Sequence, residues 1–233
     1  MNSAPGSAAE HDVLAVVLQV RGGRLHVLLW QRGQEPQRGA WSLPGGPLRD
    51  DETLGESIAR QLAAKVDVRE LAHLEQLETR SDPARDPRGR VLATAYLGLV
   101  PSDLGASLPA DTLPADTQWH PIERLPDMAF DHRSIALSGQ QRLRAKLSYT
   151  NLGFALAPQT FTVTQLQEIY QGALGHEVAG TNLKRILLRR AQIEQTGEIA
   201  PPGRSGGRPA TRYRFRTRTM EVTDQFAVLS PPD

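Results

Sequence analysis

The segment at residues 39–68 constrains the fold of this chain more than any other part of the sequence. It opens with GAWSLPGG, in which a tryptophan, a proline and paired glycines stand close together. Within residues 53–65, the apolar side chains of Leu54, Ile58 and Leu62 recur at the spacing of one helix face. The segment therefore predicts a glycine-rich turn that leads into an amphipathic helix with one buried stripe.

The runs around this helix are rich in β-formers, so we expect the first half of the chain to be mixed α/β. The Gly22-Gly23 pair joins two of these runs and predicts a hairpin. Residues 134–147 are predicted to form a helix that leads out of the domain. Strands are predicted at residues 13–20, 24–31, 91–100 and 118–120.

After about residue 151 the pattern changes to helix, turn, helix and basic hairpin. Thr162 with Gln165 three residues later predicts a capping box, and Gly175 is a natural stop for that helix. A second helix is predicted at residues 181–190. Two β-rich stretches then flank the loop PPGRSGG, at residues 193–198 and 211–215. This order of elements is that of a winged helix-turn-helix.

Size and composition favour a soluble protein with one large domain or two smaller ones. The chain has 233 residues, of which 39% are hydrophobic and 23% charged. It has no cysteine, which excludes disulfides, thiolate zinc sites and a cysteine nucleophile. No apolar run is long enough to span a bilayer and no signal peptide pattern is present, so we expect a cytoplasmic protein. We predict a flexible N-terminus at residues 1–12, a first domain at 13–148 and a winged helix at 149–233.

Positive charge is concentrated in the second domain. Residues 181–218 contain ten Lys and Arg but only two Glu, whereas residues 1–149 contain 17 basic and 19 acidic side chains. Nearly all of the basic residues in the first of these ranges are arginines, which bind phosphates and base edges through a planar fork. The distribution predicts a surface for a polyanion.

The segment at residues 39–68 resembles the Nudix box of the Nudix hydrolase superfamily. In that box three glutamates at i, i+3 and i+4 lie on one helix face and hold the magnesium ion that polarises a pyrophosphate. Gly46, Glu52, Arg60 and Leu62 stand at the positions that the box requires. The resemblance implies an α+β fold, namely a Nudix α/β/α sandwich with a mixed sheet.

The three metal-binding glutamates of the box are missing. Their positions hold an amide, a methyl group and a cation, in Gln61, Ala64 and Lys65. This set does not bind a hard divalent ion, so we expect no metal and no hydrolysis. We expect Glu52 to pair with Arg60 as a structural brace; the alternative is that Glu52 and Glu56 retain some metal chemistry.

The whole chain resembles the Nudix-related transcriptional regulators of the NrtR family. The likeness includes DPARDPRGR, AFDH, NLKRILL and GGRPATRYRF, in this order and spacing. It implies a Nudix domain that senses ADP-ribose or a related nucleotide without turnover. It also implies a winged helix that binds an inverted repeat as a homodimer and represses genes of NAD biosynthesis or salvage.

The predicted recognition helix divides into an apolar and a polar face. Leu183, Ile186 and Leu187 are expected to face the core. Asparagine can form hydrogen bonds with adenine and arginine with guanine, and the remaining cations can bind phosphates. Arginines at the tip of the wing are expected to contact the DNA as well. The predicted DNA-binding residues are Thr181, Asn182, Lys184, Arg185, Arg189, Arg204 and Arg208.

We expect the effector to lie in the cleft beside the Nudix helix. Trp41 either stacks on an adenine or ribose or packs in the core next to the glycine turn. The ammonium of Lys65 is expected to take the place of the metal ion and hold a phosphate. His132 is a candidate that could equally be a structural hydrogen-bonding residue. The predicted effector-binding residues are Trp41, Arg49, Lys65, Arg85, Arg88 and His132.

Two alternative functions remain open at this point. One is an active pyrophosphatase for ADP-ribose or a nucleoside diphosphate sugar. The other is a regulator of sugar catabolism that senses a sugar phosphate.

Overall fold

The first domain is built on a mixed β-sheet of seven strands. The computed structural model describes residues 9–102, 113–201 and 209–224. In this part of the chain the sheet consists of β1 (Glu10–Arg21), β2 (Arg24–Gln31), β3 (Trp41–Ser42), β4 (Gly45–Pro47), β5 (His73–Arg80), β6 (Val91–Leu99) and β7 (Thr117–Pro121).

The strand order is β3-β2-β1-β6-β5, with β4 paired to β1 and β7 paired to β2. The pair β1 and β6 is parallel, and the other pairs are antiparallel. Gly22 and Gly23 both have positive φ, of 54° and 72°, and join β1 to β2 as the predicted hairpin. The mixed sheet that the Nudix resemblance implies is confirmed.

Helix α1 (Leu54–Val66) covers one face of the sheet. Thr53 is its N-cap, and the side chain of Glu56 completes a capping box with the Thr53 backbone. Its buried side chains Ile58, Leu62 and Val66 pack in one cluster with apolar residues of β1. The helix ends at Asp67, which adopts the left-handed conformation with φ 51° that usually favours glycine.

The opposite face of the sheet is covered by helix α2 (His132–Tyr149) and by the winged helix. A short 3-10 segment, Leu152–Ala155, follows α2 and buries Phe154 completely against this face. Leu156 accepts a backbone hydrogen bond of 3.0 Å from Ser102 of the first domain. Residues of both predicted domains therefore share one hydrophobic cluster on this face of the sheet.

The second domain has the predicted order of elements. It comprises α3 (Val163–Leu174), α4 (Gly180–Arg189) and the antiparallel strands β8 (Ile193–Ala200) and β9 (Ala210–Phe215). The predicted capping box of Thr162 and Gln165 is present, and Gly175 ends α3 in the left-handed conformation with φ 76°. Phe161 pairs with Tyr213 of β9 through two backbone hydrogen bonds, which ties the start of α3 to the wing.

The chain after β9 returns to the end of α2. Asn151 donates its backbone N–H to Glu221 and accepts from the Glu221 backbone at 2.7 Å. Arg190 forms an ion pair of 2.5 Å with Asp224 and donates to the Ser148 carbonyl. The winged helix is thus joined to α2 at its C-terminal end as well as through the 3-10 segment.

The structure differs from the sequence predictions in a few elements. Strand β5 was not predicted, and α2 begins at His132 instead of residue 134. The predicted boundary between residues 148 and 149 falls in the last turn of α2, and the domain limits stay a prediction. Within the described ranges, no helix combines the length and the apolar composition needed to cross a bilayer.

Candidate functional site

A cavity of about 340 Å³ lies beside α1, where β1, β3 and β4 meet the start of α2. Its wall combines polar, aromatic and basic side chains. The residues that line it are Asp12, Leu14, Trp30, Arg32, Gly33, Gln34, Ser42, Leu43, Gly45, Gly46, Pro47, Lys65, Arg88, Phe130 and His132.

Lys65 reaches this cavity from the last turn of α1. Its ammonium donates a hydrogen bond to the Gly45 carbonyl and lies 4.2 Å from the ring centre of Trp30. Burial lowers the pKa of Lys65 to about 8, with the neighbouring Arg32 acting in the same direction and Asp12 opposing it. A positive charge thus stands at a position where the Nudix box requires a metal-binding glutamate.

The residues at the other two metal positions do not fit a divalent ion. The Gln61 side chain is buried and packs over Gly46, where an added Cβ would lie 2.7 Å from its Nε2. Ala64 is exposed and offers only a methyl group. In the described part of the chain, no three His, Asp or Glu side chains are grouped so that they could hold a metal ion. None of the three positions thus offers a carboxylate oxygen, the ligand that a hard divalent ion prefers.

Glu52 and Arg60 form the brace that the sequence predicted. Arg60 donates from Nε to Glu52 Oε2 at 2.8 Å and from Nη2 to Oε1 at 2.5 Å. The hydrogen bond from Arg60 lowers the pKa of Glu52 to about 2. Arg60 also donates to the Pro47 carbonyl at 3.2 Å. This pair fixes the loop between β4 and α1.

His132 lines the cavity and also holds its wall in place. Its Nδ1 accepts a hydrogen bond of 3.1 Å from the Leu43 backbone N–H and lies 2.9 Å from the Ser42 hydroxyl. Because Nδ1 is an acceptor, the neutral ring carries its hydrogen on Nε2. Burial lowers the pKa of His132 to about 3, so the ring stays neutral.

Arg88 is the third predicted effector residue that the structure brings to this cavity. Its Nη2 lies 2.6 Å from Asp86 Oδ2 and 3.1 Å from Asp12 Oδ2. The hydrogen bond with Asp86 raises the pKa of Arg88 above its usual value. Its guanidinium carbon is 5.9 Å from the ring centre of Phe130.

The other three predicted effector residues do not line the cavity. Trp41 packs edge-on against the His120 ring at 4.4 Å and borders a separate pocket with Arg21 and His26. Arg85 is buried in a two-bond ion pair with Asp131, at 2.8 and 3.1 Å. Arg49 is exposed on the loop before α1.

Four charged or aromatic residues of this cavity were not predicted from the sequence. Phe130 lies within the quoted AFDH segment, which was a usable signal, and it has a left-handed φ of 53°. Asp12 stands just before the first predicted strand, Trp30 lies within the second and Arg32 follows it, and none of the three belongs to a motif. Arg32 places its guanidinium carbon 4.7 Å from the Phe130 ring centre.

The predicted recognition helix is α4. It buries Leu183 and Leu187, while Ile186 is only half-buried. Arg185 donates to the Asn182 side-chain oxygen at 2.8 Å, so the two side chains are held together on the solvent face. The exposed predicted DNA-binding residues of this helix are Thr181, Asn182, Arg185 and Arg189.

The remaining predicted DNA-binding residues lie toward the wing. Lys184 is half-buried, with its ammonium 5.3 Å from the ring centre of Tyr213. Arg204 and Arg208 lie outside the described residues. On the wing strands, Arg214 forms an ion pair with Glu194 at 2.9 Å. Within the described residues, Arg185 and Arg189 have no carboxylate within ion-pair distance, which leaves their charge available to an external anion.

Comparisons with known proteins match both halves of the chain. Residues 10–137 match the model of the NUDIX domain, and residues 153–215 match that of the NrtR DNA-binding winged helix domain. The chain is 32% identical over 203 residues to the ADPR responsive transcriptional repressor NtrR of Acinetobacter baylyi. That alignment covers 85% of this chain and 79% of the relative.

Solved structures of NrtR proteins also match this chain. The crystal structure of Shewanella oneidensis NrtR complexed with a 27mer DNA has a TM-score of 0.76 and 32% identity, covering 88% of this chain and 93% of that chain. The cocrystal structure of the NUDIX domain of Shewanella oneidensis NrtR with ADP ribose has a TM-score of 0.50 and 30% identity, covering 61% of this chain and 94% of that chain. As its motifs predicted, the chain belongs to the NrtR family, in which a Nudix domain is joined to a DNA-binding winged helix.

Proposed function

We propose that this protein is a transcriptional repressor that binds ADP-ribose or a related nucleotide and does not hydrolyse it. The single observation that carries this proposal is the ammonium of Lys65 at a metal-binding position of the Nudix box, inside the cavity beside α1. Hydrolysis in a Nudix site depends on a divalent ion held by several carboxylates. The ammonium of Lys65 repels a divalent ion, and the amide of Gln61 supplies no carboxylate to hold it. The same ammonium attracts a diphosphate.

The winged helix supplies the DNA-binding half of the proposal. α4 exposes Asn182, Arg185 and Arg189, whose side chains suit adenine, guanine and phosphate in a major groove. The family relatives named above include a repressor and a protein crystallised on DNA. We infer that α4 is the recognition helix and that genes of NAD biosynthesis or salvage are its targets.

We infer that the active species is a homodimer on an inverted repeat. Two-fold symmetric winged helices read two half-sites separated by about one helical turn of DNA, or a multiple of it. Several arginines displace counterions from phosphates, so DNA affinity should fall steeply with salt.

Helix α2 connects the cavity to the winged helix. His132 in its first turn contacts the cavity wall, and Arg144 in its later part donates to the Ala173 carbonyl at the end of α3. Its 18 residues span about 27 Å. We infer that a displacement of α2 at the cavity is transmitted to the end of α3 through this contact. A coupling of about 1–3 kcal/mol is enough to change operator occupancy.

A mobility-shift assay on the promoter next to the protein's own gene tests this function. ADP-ribose and NAD are titrated separately into a fixed amount of protein and DNA. We expect ADP-ribose or a close relative to change the DNA affinity at least about fivefold. An unchanged isotherm with every nucleotide tested would contradict the proposal.

Product analysis distinguishes an active pyrophosphatase from the proposed repressor. Release of AMP from ADP-ribose with magnesium or manganese at about 1 per second or more would favour the enzyme. The same mobility-shift assay, with sugar phosphates in place of nucleotides, distinguishes a regulator of sugar catabolism from a regulator of NAD metabolism.

A further inference from the structure

The wing hairpin, formed by β8 and β9, carries arginines and a carboxylate on its outer face. Tyr213 and Phe215 of β9 are buried. Because side chains alternate along a strand, Arg214 and Arg216 lie on the opposite face of β9, and both are exposed. Glu194 of β8 is the residue directly opposite Arg214 in the register of the hairpin. Two arginines therefore flank one carboxylate on a surface that faces solvent.

Glu194 binds both of these arginines. Its Oε1 accepts from Arg214 Nε at 3.0 Å and from Arg214 Nη2 at 2.9 Å. Its Oε2 lies 3.6 Å from Arg216 Nε. The side chains of Arg214 and Arg216 are 59% and 54% exposed, whereas that of Glu194 is 32% exposed. The carboxylate is thus enclosed between two cations that remain accessible to an external anion.

The exposed arginines of the recognition helix α4 are arranged differently. Within the described residues, Arg185 and Arg189 have no carboxylate within ion-pair distance. Arg185 donates instead to the neutral amide oxygen of Asn182. The DNA-binding half therefore has exposed arginines of two kinds. Those of α4 keep their full charge, and those of the wing face share the negative charge of Glu194.

This difference bears on binding to DNA of random sequence. Non-specific affinity comes mainly from cations that neutralise phosphates and release counterions. An arginine that already binds a carboxylate exchanges one anion for another when it binds a phosphate, so it adds little to this release. The displaced carboxylate also repels the phosphate beside it. Specific affinity depends in addition on base contacts, which are made by another element, α4.

We propose that Glu194 is a specificity-determining residue, which competes with DNA phosphates for Arg214 and Arg216 and lowers non-specific affinity more than affinity for the operator. At a random site the wing face gains little by exchanging Glu194 for a phosphate. At the operator, base contacts by α4 hold the wing close to the backbone, where the exchange is favourable. This inference rests on the proposed function, because the winged helix must bind DNA, and it adds an acidic residue that improves discrimination.

The test is the salt dependence of binding of the full-length protein to two duplexes of equal length. One is the promoter next to the protein's own gene, and the other has a random sequence. We expect Glu194→Gln to bind the random duplex about fivefold to tenfold more tightly, with a slope of log affinity against log salt that is steeper by about 1–2, since each released arginine adds about 0.9. Affinity for the promoter should rise by a smaller factor.

Glu198→Gln is the matched control. Glu198 is an exposed residue of the same strand and forms no ion pair within the described ranges. Its substitution removes the same charge and should change the slope by less than about 0.5. Adding Arg214→Gln and Arg216→Gln to Glu194→Gln should return the slope to the wild-type value. An exposed ion pair contributes little to folding stability, and thermal unfolding verifies that each variant is folded.

The inference is overturned if Glu194→Gln binds the random duplex as the wild type does, or if Glu198→Gln has the same effect. An equal rise on both duplexes, or a steep slope that persists in the triple variant, also overturns it. The random duplex keeps this test separate from the proposed function. A wild type that does not prefer the promoter contradicts the proposed repressor, whereas the slopes of the two glutamate variants still decide whether Glu194 competes with phosphates.

Discussion

The imidazole of His132 accepts a hydrogen bond from the backbone N–H of Leu43, at 3.1 Å. The bond joins the first residue of α2 to the wall of the cavity, across 89 residues of sequence. Because α2 continues to the winged helix, this contact connects the proposed effector site to the DNA-binding half. The protonation of His132 can be tested by varying the pH.

The buried His132 should make the protein sensitive to mild acid. Its pKa is about 3 in the folded state and 6.5 when unperturbed, so the unfolded chain binds more protons between these values. The free energy of unfolding should therefore fall as the pH is lowered from 6.5, by about 2 kcal/mol at pH 5 from this group alone. Urea unfolding at a series of pH values measures this.

His132→Asn is the control for that experiment. Asparagine keeps an acceptor near the Leu43 N–H but does not titrate. The variant should lose less stability than the wild type between pH 6.5 and 5. Equal losses in both proteins would mean that His132 is not the responsible group.

ADP-ribose affinity should depend on pH through Lys65. The pKa of Lys65 is about 8 in the free protein because of burial, so the ammonium loses its proton above this pH. Affinity should be constant below pH 8 and fall by up to about tenfold per pH unit above it. The groups facing Lys65 are Asp12, Arg32 and Arg60. Lys65→Arg stays charged and should give a flat profile over this range; a decline as steep as that of the wild type would exclude Lys65 as the titrating group.

Loss of Arg185 should weaken binding to the operator specifically. Arg185→Ala removes an exposed guanidinium that Asn182 orients, and it should cost about 1–3 kcal/mol on the specific site. Fluorescence anisotropy with operator and with scrambled DNA measures both affinities. Arg69→Ala, which changes an exposed arginine of the first domain, should leave both unchanged. If Arg185→Ala binds the operator as tightly as the wild type does, α4 is not the reading helix.

The contact between the hairpin and α3 should be intolerant of a single methyl group. A Cβ at Gly172 would lie 2.8 Å from Val20 Cγ1 and 2.9 Å from the Gly23 carbonyl. Gly172→Ala should therefore destabilise the protein by about 1–3 kcal/mol, despite the better helix propensity of alanine.

Gly55→Ala serves as the matched substitution in a helix. Gly55 is exposed in α1, and the nearest atom to an added Cβ is 4.0 Å away. This variant should be neutral or slightly more stable. Thermal unfolding compares the two; equal midpoints would contradict the close packing of the winged helix on the sheet.

The elements with regular apolar or capping patterns were predictable from sequence. The hairpin at Gly22-Gly23, the capping box at Thr162 and the glycine end of α3 all have local causes, and each is present. Strand β5 was not predicted because it lies at the edge of the sheet and its only buried side chain is Leu77. Its sequence is therefore mostly polar and lacks the apolar alternation of a strand. Local pattern does not reveal such a strand, because its pairing with β6 depends on the rest of the sheet.

The sequence did not reveal which side chains line the cavity where side-chain direction depends on neighbours distant in sequence. Successive residues of a strand point to opposite faces, so β3 sends Ser42 to the cavity and Trp41 to the other side. Arg85 and Arg88 belong to the same loop segment, but Arg85 forms a buried ion pair with Asp131, whereas Arg88 lines the cavity. Arg32 was missed because its position over Phe130 is set by a residue 98 positions later.

The most direct test of this account combines DNA binding with analysis of the nucleotide. The full-length protein is incubated with operator DNA, ADP-ribose and magnesium, the DNA-binding isotherm is recorded, and the nucleotide is then recovered. We predict a shifted isotherm and intact ADP-ribose, with the same shift in EDTA. An unshifted isotherm together with conversion to AMP and ribose 5-phosphate, at about 1 per second or faster, would contradict it.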